Sequence, residues 1–189
     1  MIIIGILGDI GSGKSYVAQN FGYPVFNADY EVAKLYQQNK NIFNRLKAKL
    51  PKYINSFPIE KKEISDAILA NKNNLKKIVK IVHFEIRKKL NNFLKKNRHK
   101  RIVILDIPLL LENKINNRND ILIFIESKKS DISKRLRKRE NFNPKLLSIV
   151  KDIQLPLDYK KKRSQFIIKN DFTKKSVKIG IKKIIKEIL

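Results

Sequence analysis

An α/β fold, with a parallel sheet layered between helices, is the architecture this chain predicts, on three observations. Short, wholly apolar runs alternate with longer stretches in which apolar residues recur every three or four positions. Four of the six glycines (Gly5, Gly8, Gly11 and Gly13) crowd together where the first apolar run ends. The chain has 189 residues, 42% of them hydrophobic, which is enough for one domain with a substantial core.

The elements follow in order. Residues 2–7 (IIIGIL) read as a buried strand. A helix is expected from about residue 13 to 21, closed by Gly22 with Pro24 just beyond. Residues 24–28 give a second short strand that ends next to Asp29. Residues 102–107 (IVILDI) and 121–126 (ILIFIE) are two more buried strands, and 165–169 (QFIIK) is a weaker one. Leu75, Ile78, Val79, Val82, Ile86, Leu90 and Phe93 form the apolar stripe of one long helix, and Val177, Ile181, Ile184, Ile185 and Ile188 that of a C-terminal one. Between about 30 and 98 there are helical patterns and no convincing strand, so this stretch reads as a helical insertion.

Composition excludes several classes. There is no cysteine, hence no disulfide framework and no thiolate metal site. No apolar run approaches the roughly 18–20 residues that span a bilayer. The opening MIII lacks a basic flank, so a cytoplasmic protein with no membrane association is expected. The net charge of +26 is spread along the chain with no separable basic tail, aromatic RNA-binding signature or helix-turn-helix pattern. Heavy joint use of Lys, Asn and Ile is also what an AT-rich genome encodes, so no obligate nucleic-acid partner is expected. A monomer is the default expectation.

The glycine cluster has a chemical purpose. Gly8-Asp9-Ile10-Gly11-Ser12-Gly13-Lys14-Ser15 matches G-x-x-x-x-G-K-[ST] at every fixed position, between a strand and a helix, and Tyr16 follows. Such a P-loop turns backbone N–H groups inward around phosphate and adds the positive end of the following helix. Lys14 can reach the β- and γ-phosphates of ATP, and the Ser15 hydroxyl can ligate Mg2+. The expected fold is therefore a P-loop NTPase-type three-layer parallel sheet flanked by helices. A GTPase is excluded, because neither later glycine (Gly22, Gly180) has an aspartate three residues before it and no N-K-x-D occurs. The same shortage of glycine excludes transport ATPases. What remains is a small kinase.

In parallel sheets ligands bind beyond the carboxyl ends of the strands, which places Asp29, Asp106–Pro108 and Glu112 with the loop. Asp29 is a candidate general base, or the N-cap of the helix near Tyr30. Asp106 is placed to hold Mg2+ through water, or is a strand-end carboxylate satisfied by backbone donors. Arg135 and Arg139, four apart on an expected helix and so on one face, could cover ATP, although from spacing alone a solvated basic face is the better explanation in a chain this rich in lysine. His83 flanks an apolar stripe and reads first as a structural histidine.

Together the stretches GDIGSGKS (8–15), NAD (27–29), DIPLLLEN (106–113), RLRKR (135–139) and Gln154 followed by LPLDYKKKRSQFIIKN resemble the dephospho-CoA kinase family, in order and over nearly the whole chain. The resemblance implies ATP-dependent phosphorylation of the ribose 3′-hydroxyl of dephospho-CoA. It implies a core of 1–29, 99–127 and 163–189, a CoA-binding helical insertion of about 30–98 and a lid of about 128–142. It makes Asp29, Lys14 and Arg139 catalytic, and Gly8 to Tyr16 with Arg135 and Arg139 ATP-binding. Asp29, His83, Pro108, Leu109 and Glu112 become substrate-binding, and Ser15 and Asp106 hold the metal. The chain departs from the family pattern at Leu7, Asp9, Tyr16, Asn27 (for the first acid of an Asp-x-Asp pair), Phe84 (for a proline, so the helix is expected to continue) and Ser164-Gln165. Another small-acceptor kinase, of the nucleoside monophosphate type, is the second reading, and a nucleic-acid-binding ATPase the third.

Overall fold

The apolar runs become strands and the three-to-four-residue periodicities become helices. A computed structural model describes residues 1–140 and 142–189. The order is β1 (Ile2–Gly8), α1 (Lys14–Asn20), β2 (Val25–Asn27), α2 (Ala28–Gln38), α3 (Lys40–Lys49), α4 (Lys61–Ala70), α5 (Asn73–Lys96), β3 (Ile102–Asp106), β4 (Ile121–Glu126), α6 (Lys129–Arg137), α7 (Pro144–Asp152), α8 (Leu157–Lys162), β5 (Phe166–Lys169) and α9 (Lys174–Ile188). Two compact units result. A sheet unit takes Met1–Asn27, Lys96–Phe142 and Ile153–Leu189, and a helical unit takes Ala28–Lys95 with Asn143–Asp152.

In the sheet unit five strands run parallel in the order β2-β3-β1-β4-β5. The central β1 pairs with β3 on one side and β4 on the other, so a strand buried on both faces needs an uninterrupted apolar sequence. Side chains alternate between faces. Ile4, Ile6, Ile102, Ile104, Ile123 and Ile125 join Val17 and Ala18 of α1 and Val177, Ile181 and Ile184 of α9 in one core cluster. Each isoleucine or valine among them stabilises the fold by roughly 1.5–3 kcal/mol on full burial. Gly22 ends the first helical stretch in a left-handed conformation (φ 74°), where the sequence predicts a stop. β5 lies at the edge, and its Ile167 is exposed.

In the helical unit, α5 presents Leu75, Ile78, Val82, Ile86 and Leu90 as a buried stripe and runs unbroken through Phe84, which is 55% exposed. A capping box starts α4: Glu63 reaches back to the Glu60 N–H. The same carboxylate accepts from the N–H groups of Asn55 (2.6 Å) and Ser56 (3.0 Å). These donors outweigh the opposing effect of burial and hold the Glu63 pKa below its ordinary 4.5. Asn39 caps α3 through a bond from the Ile42 N–H.

Two local expectations are corrected. Asp29 does not cap a helix, because α2 already begins at Ala28 and Asp29 lies in its first turn. Arg135 and Arg139 do not share a helix face, because α6 ends at Arg137 and Lys138 is its C-cap. Three consecutive basic residues, Arg137 to Arg139, with Arg135 two before them, would concentrate positive charge on one more turn of a highly basic chain, and Arg139 instead bonds its N–H to the Leu136 carbonyl in a tight turn.

Candidate active site

β1 delivers the chain to the carboxyl edge of the sheet at Gly8, and α1 takes it away from Lys14. The five residues between make the loop. Gly13 precedes the helix at φ 90°, a left-handed conformation that side chains rarely adopt. A Cβ there would also lie 2.5 Å from the Asn170 side-chain nitrogen. The Lys14 ammonium reaches back over the loop, donating to the carbonyls of Gly8 (3.2 Å) and Asp9 (2.8 Å). Asp9 spends its carboxylate on its own loop, accepting from the Ile10 N–H at 2.7 Å. Ser15 and Tyr16, in the first turn of α1, are exposed.

The loop is tied from a distance. The Ser12 carbonyl accepts from Asn170 Nδ2 (2.8 Å), just past β5, and from Ser127 Oγ (3.1 Å), just past β4. Asn170 then accepts the Phe172 N–H, and the Arg135 guanidinium lies over the Phe172 ring at 4.4 Å. Arg135 thus has a specific aromatic partner beside the loop, which a merely solvated face would lack. Arg139 is exposed.

Asp106 ends β3 and is 3% exposed. Its Oδ2 accepts from Asn27 Nδ2 at 2.6 Å, so a side-chain amide and not the backbone satisfies it. Among the described residues no cluster of three or more His, Cys, Asp or Glu could hold a metal by itself. Two oxygen donors at this edge suit a divalent cation, the Ser15 hydroxyl in the first turn of α1 and the Asp106 carboxylate at the end of β3. That set fits Mg2+, which keeps most of its waters and binds through few protein oxygens and substrate phosphates.

Glu112 is paired with a buried lysine. Its Oε1 lies 2.6 Å from the Lys160 ammonium and accepts the Leu155 N–H at 3.0 Å, while its Oε2 is buried without a hydrogen-bond partner. Lys160 is 1% exposed. The pair anchors the segment carrying Pro108 and Leu109 to α8. A cavity of about 720 Å³ beside Glu112 is bordered by Leu122 and Gln165, at the strand ends opposite the loop. A smaller one of about 160 Å³ touches Asp9, Glu126, Ser127 and Ile132 at the loop edge.

In the helical unit His83 is half-buried on α5, and its Nε2 is buried without a hydrogen-bond partner. Burial first, then the charge of Arg87, hold its pKa below the ordinary 6.5. Asp29 lies two residues past Asn27 in the chain and has polar partners in the structure.

Sequence reasoning missed Asn170, Ser127, Phe172 and Lys160. Asn170 and Lys160 both lie in the LPLDYKKKRSQFIIKN stretch that carries the family resemblance, without a role attached, and nothing in the sequence points to Ser127 or Phe172.

Comparison with known proteins gives a consistent result. A family model described as dephospho-CoA kinase matches residues 2–176. A dephospho-CoA kinase of Wolbachia sp. subsp. Brugia malayi is 33% identical, covering 97% of this chain and 96% of its own. A Thermus thermophilus protein of known structure superposes with a TM-score of 0.78 at 26% identity, covering 100% of this chain and 98% of its own. The dephospho-CoA kinase of Campylobacter jejuni shares the fold, with a TM-score of 0.63 at 22% identity, covering 98% and 96%.

Proposed function

The chain belongs to the dephospho-CoA kinase family, and we propose that the loop, Asp29 and the two arginines divide the reaction among them as follows. The protein transfers the γ-phosphoryl group of ATP to the ribose 3′-hydroxyl of dephospho-CoA, giving CoA and ADP. The observation that carries this reading is the phosphate loop at the end of the central strand, within a family match that spans nearly the whole chain.

Residues Gly8 to Tyr16 hold the triphosphate through loop N–H groups and the N-terminus of α1, and Lys14 turns from its loop carbonyls to the β- and γ-oxygens. Ser15 would hold Mg2+ directly and Asp106 would hold it through water, and the ion, when bound, would offset charge on those phosphate oxygens. Arg135, stacked on Phe172, lies over the nucleotide, and Arg139 meets charge on the transferring group. Asp29 accepts the hydroxyl proton as the bond from O3′ to phosphorus forms and the bond to the departing ADP oxygen breaks. His83, Pro108 and Leu109 contact dephospho-CoA, and Glu112 serves the same site by fixing the segment on which Pro108 and Leu109 stand.

A coupled ADP-release assay with Mg-ATP tests this reading, offering dephospho-CoA, AMP, CMP, UMP, shikimate and RNA in turn. Turnover is expected with dephospho-CoA alone. Asp29→Asn is expected to lower kcat by about 10²–10⁴-fold with ATP affinity little changed. Full turnover in that variant would remove Asp29 as the base.

A further inference from the structure

We propose that Asn27 is a positioning residue for Asp106, holding one carboxylate oxygen in place without cancelling its charge, so that the other oxygen can accept from a water on a divalent cation. The proposal rests on the reading of Asp106 as an outer cation ligand.

The geometry is set by the sheet. Asn27 is the last residue of β2 and Asp106 the last of β3, and the two are register partners in a parallel ladder. Register partners on adjacent strands project to the same face, so the side chains meet without any loop to arrange them. Asn27 Nδ2 donates to Asp106 Oδ2 at 2.6 Å. A carboxylate has no proton to donate, so the amide must present its nitrogen and the direction of the bond is fixed. Asp106 is 3% exposed and cannot rely on bulk water.

The choice of donor matters. Lysine or arginine at position 27 would satisfy Asp106 but offset its charge and compete with a cation. A second acid would face Asp106 with like charge unless the two shared a proton. An amide does neither: it leaves a full negative charge, oriented, on a side chain anchored at a strand end. Groups in this outer position orient the groups that meet the metal, and losing one typically weakens metal binding about 10–100-fold.

The test is Mn2+ binding to the full chain with ADP, followed by electron paramagnetic resonance, in wild type, Asn27→Ala, Asp106→Ala and the double variant. Asn27→Ala is expected to weaken Mn2+ about tenfold, Asp106→Ala at least as much, and the double variant no more than Asp106→Ala. Wild-type affinity in Asn27→Ala beside a loss in Asp106→Ala overturns this proposal and leaves the reading of Asp106 standing. Wild-type affinity in Asp106→Ala overturns both. Losses that add in full show Asn27 acting elsewhere and overturn the proposal. Asn27→Asp, nearly the same size, guards against a folding artefact. Without metal it is expected to melt below wild type and to be raised further by Mn2+, and an unchanged melting profile would show that the contact is not made.

Discussion

The loop edge of the sheet unit and the helical unit are both held by polar side chains, but over very different distances along the chain. At the loop, Ser12 is tied to Asn170 and Ser127, which are 158 and 115 residues away, and Asn27 to Asp106, 79 away. In the helical unit the side-chain hydrogen bonds that cap and brace helices are short: Glu63 to Asn55 and Ser56, eight and seven away, and Asn74 to Ala67, seven away. A longer tie there, Lys89 to Glu31 at 2.9 Å, is an ion pair between partly exposed side chains. Phosphoryl transfer is catalysed chiefly by positioning and fixed charge, so the loop must not drift, and ties to several strands prevent that. The helical unit relies on caps and amphipathic faces, each of which can loosen by itself. The contrast predicts that single changes at the loop edge cost more than single changes among the helices.

The largest effect is expected at Lys14. Lys14→Ala should lose nearly all transfer, on the order of 10³-fold or more in kcat, while the melting temperature changes far less, because the Lys14 ammonium makes only part-buried bonds to two loop carbonyls. Steady-state kinetics beside a thermal melt would check both halves. Retained turnover would break the comparison at its strongest point.

Next comes a contrast within one short helix. Lys160 and Lys161 each meet a carboxylate at 2.6 Å, but the first pair is 1% and 9% exposed and the second 41% and 37%. Lys160→Met leaves Glu112 buried and unpaired and should cost about 3–5 kcal/mol in denaturant unfolding. Lys161→Met should cost no more than about 1 kcal/mol. Equal costs would mean that distance, not burial, governs these pairs.

The same contrast explains what could be read from the sequence. The phosphate loop is a local motif, strand then glycines then helix, and each strand is a local apolar run. Neither needs a partner to be recognised. The α5 and α9 stripes are equally local. Asn170 and Lys160 act on residues far away in the chain, and in the sequence they are one asparagine and one lysine among many. Glu112 could be placed near the right segment but not paired, since 43 lysines and arginines offer no distinguishing pattern. The four-residue spacing of Arg135 and Arg139 carries no sign that α6 stops at Arg137, between them.

A smaller effect, sharpening the helical side, is expected at Glu63. Its folded pKa lies below 4.5, so it contributes stability above the ordinary carboxylate range and loses it as pH falls through that depressed value. Glu63→Gln should lower stability by about 1 kcal/mol near neutral pH and should flatten the loss between pH 5 and the acid transition, roughly the range in which a glutamate titrates. Urea midpoints taken across that range would show it, and a variant with the wild-type slope would assign the acid loss to other carboxylates.

The smallest expected effect belongs to His83, and it has the same sign for a different reason. Burial and Arg87 depress its pKa below 6.5, so the folded protein resists the proton that the unfolded chain accepts. Stability should be full above pH 6.5 and decline as pH falls from there toward the folded value. His83→Gln removes the titrating group, and its stability relative to wild type should improve on going from pH 7.5 to pH 5.5, by less than about 1 kcal/mol. The kinetic readout separates this structural role from the proposed contact with dephospho-CoA. A raised KM for dephospho-CoA with the stability change small would put His83 at the substrate, whereas an unchanged KM would leave it as a strut of α5. That single residue therefore decides whether the helical unit contributes chemistry or only shape where α5 is concerned.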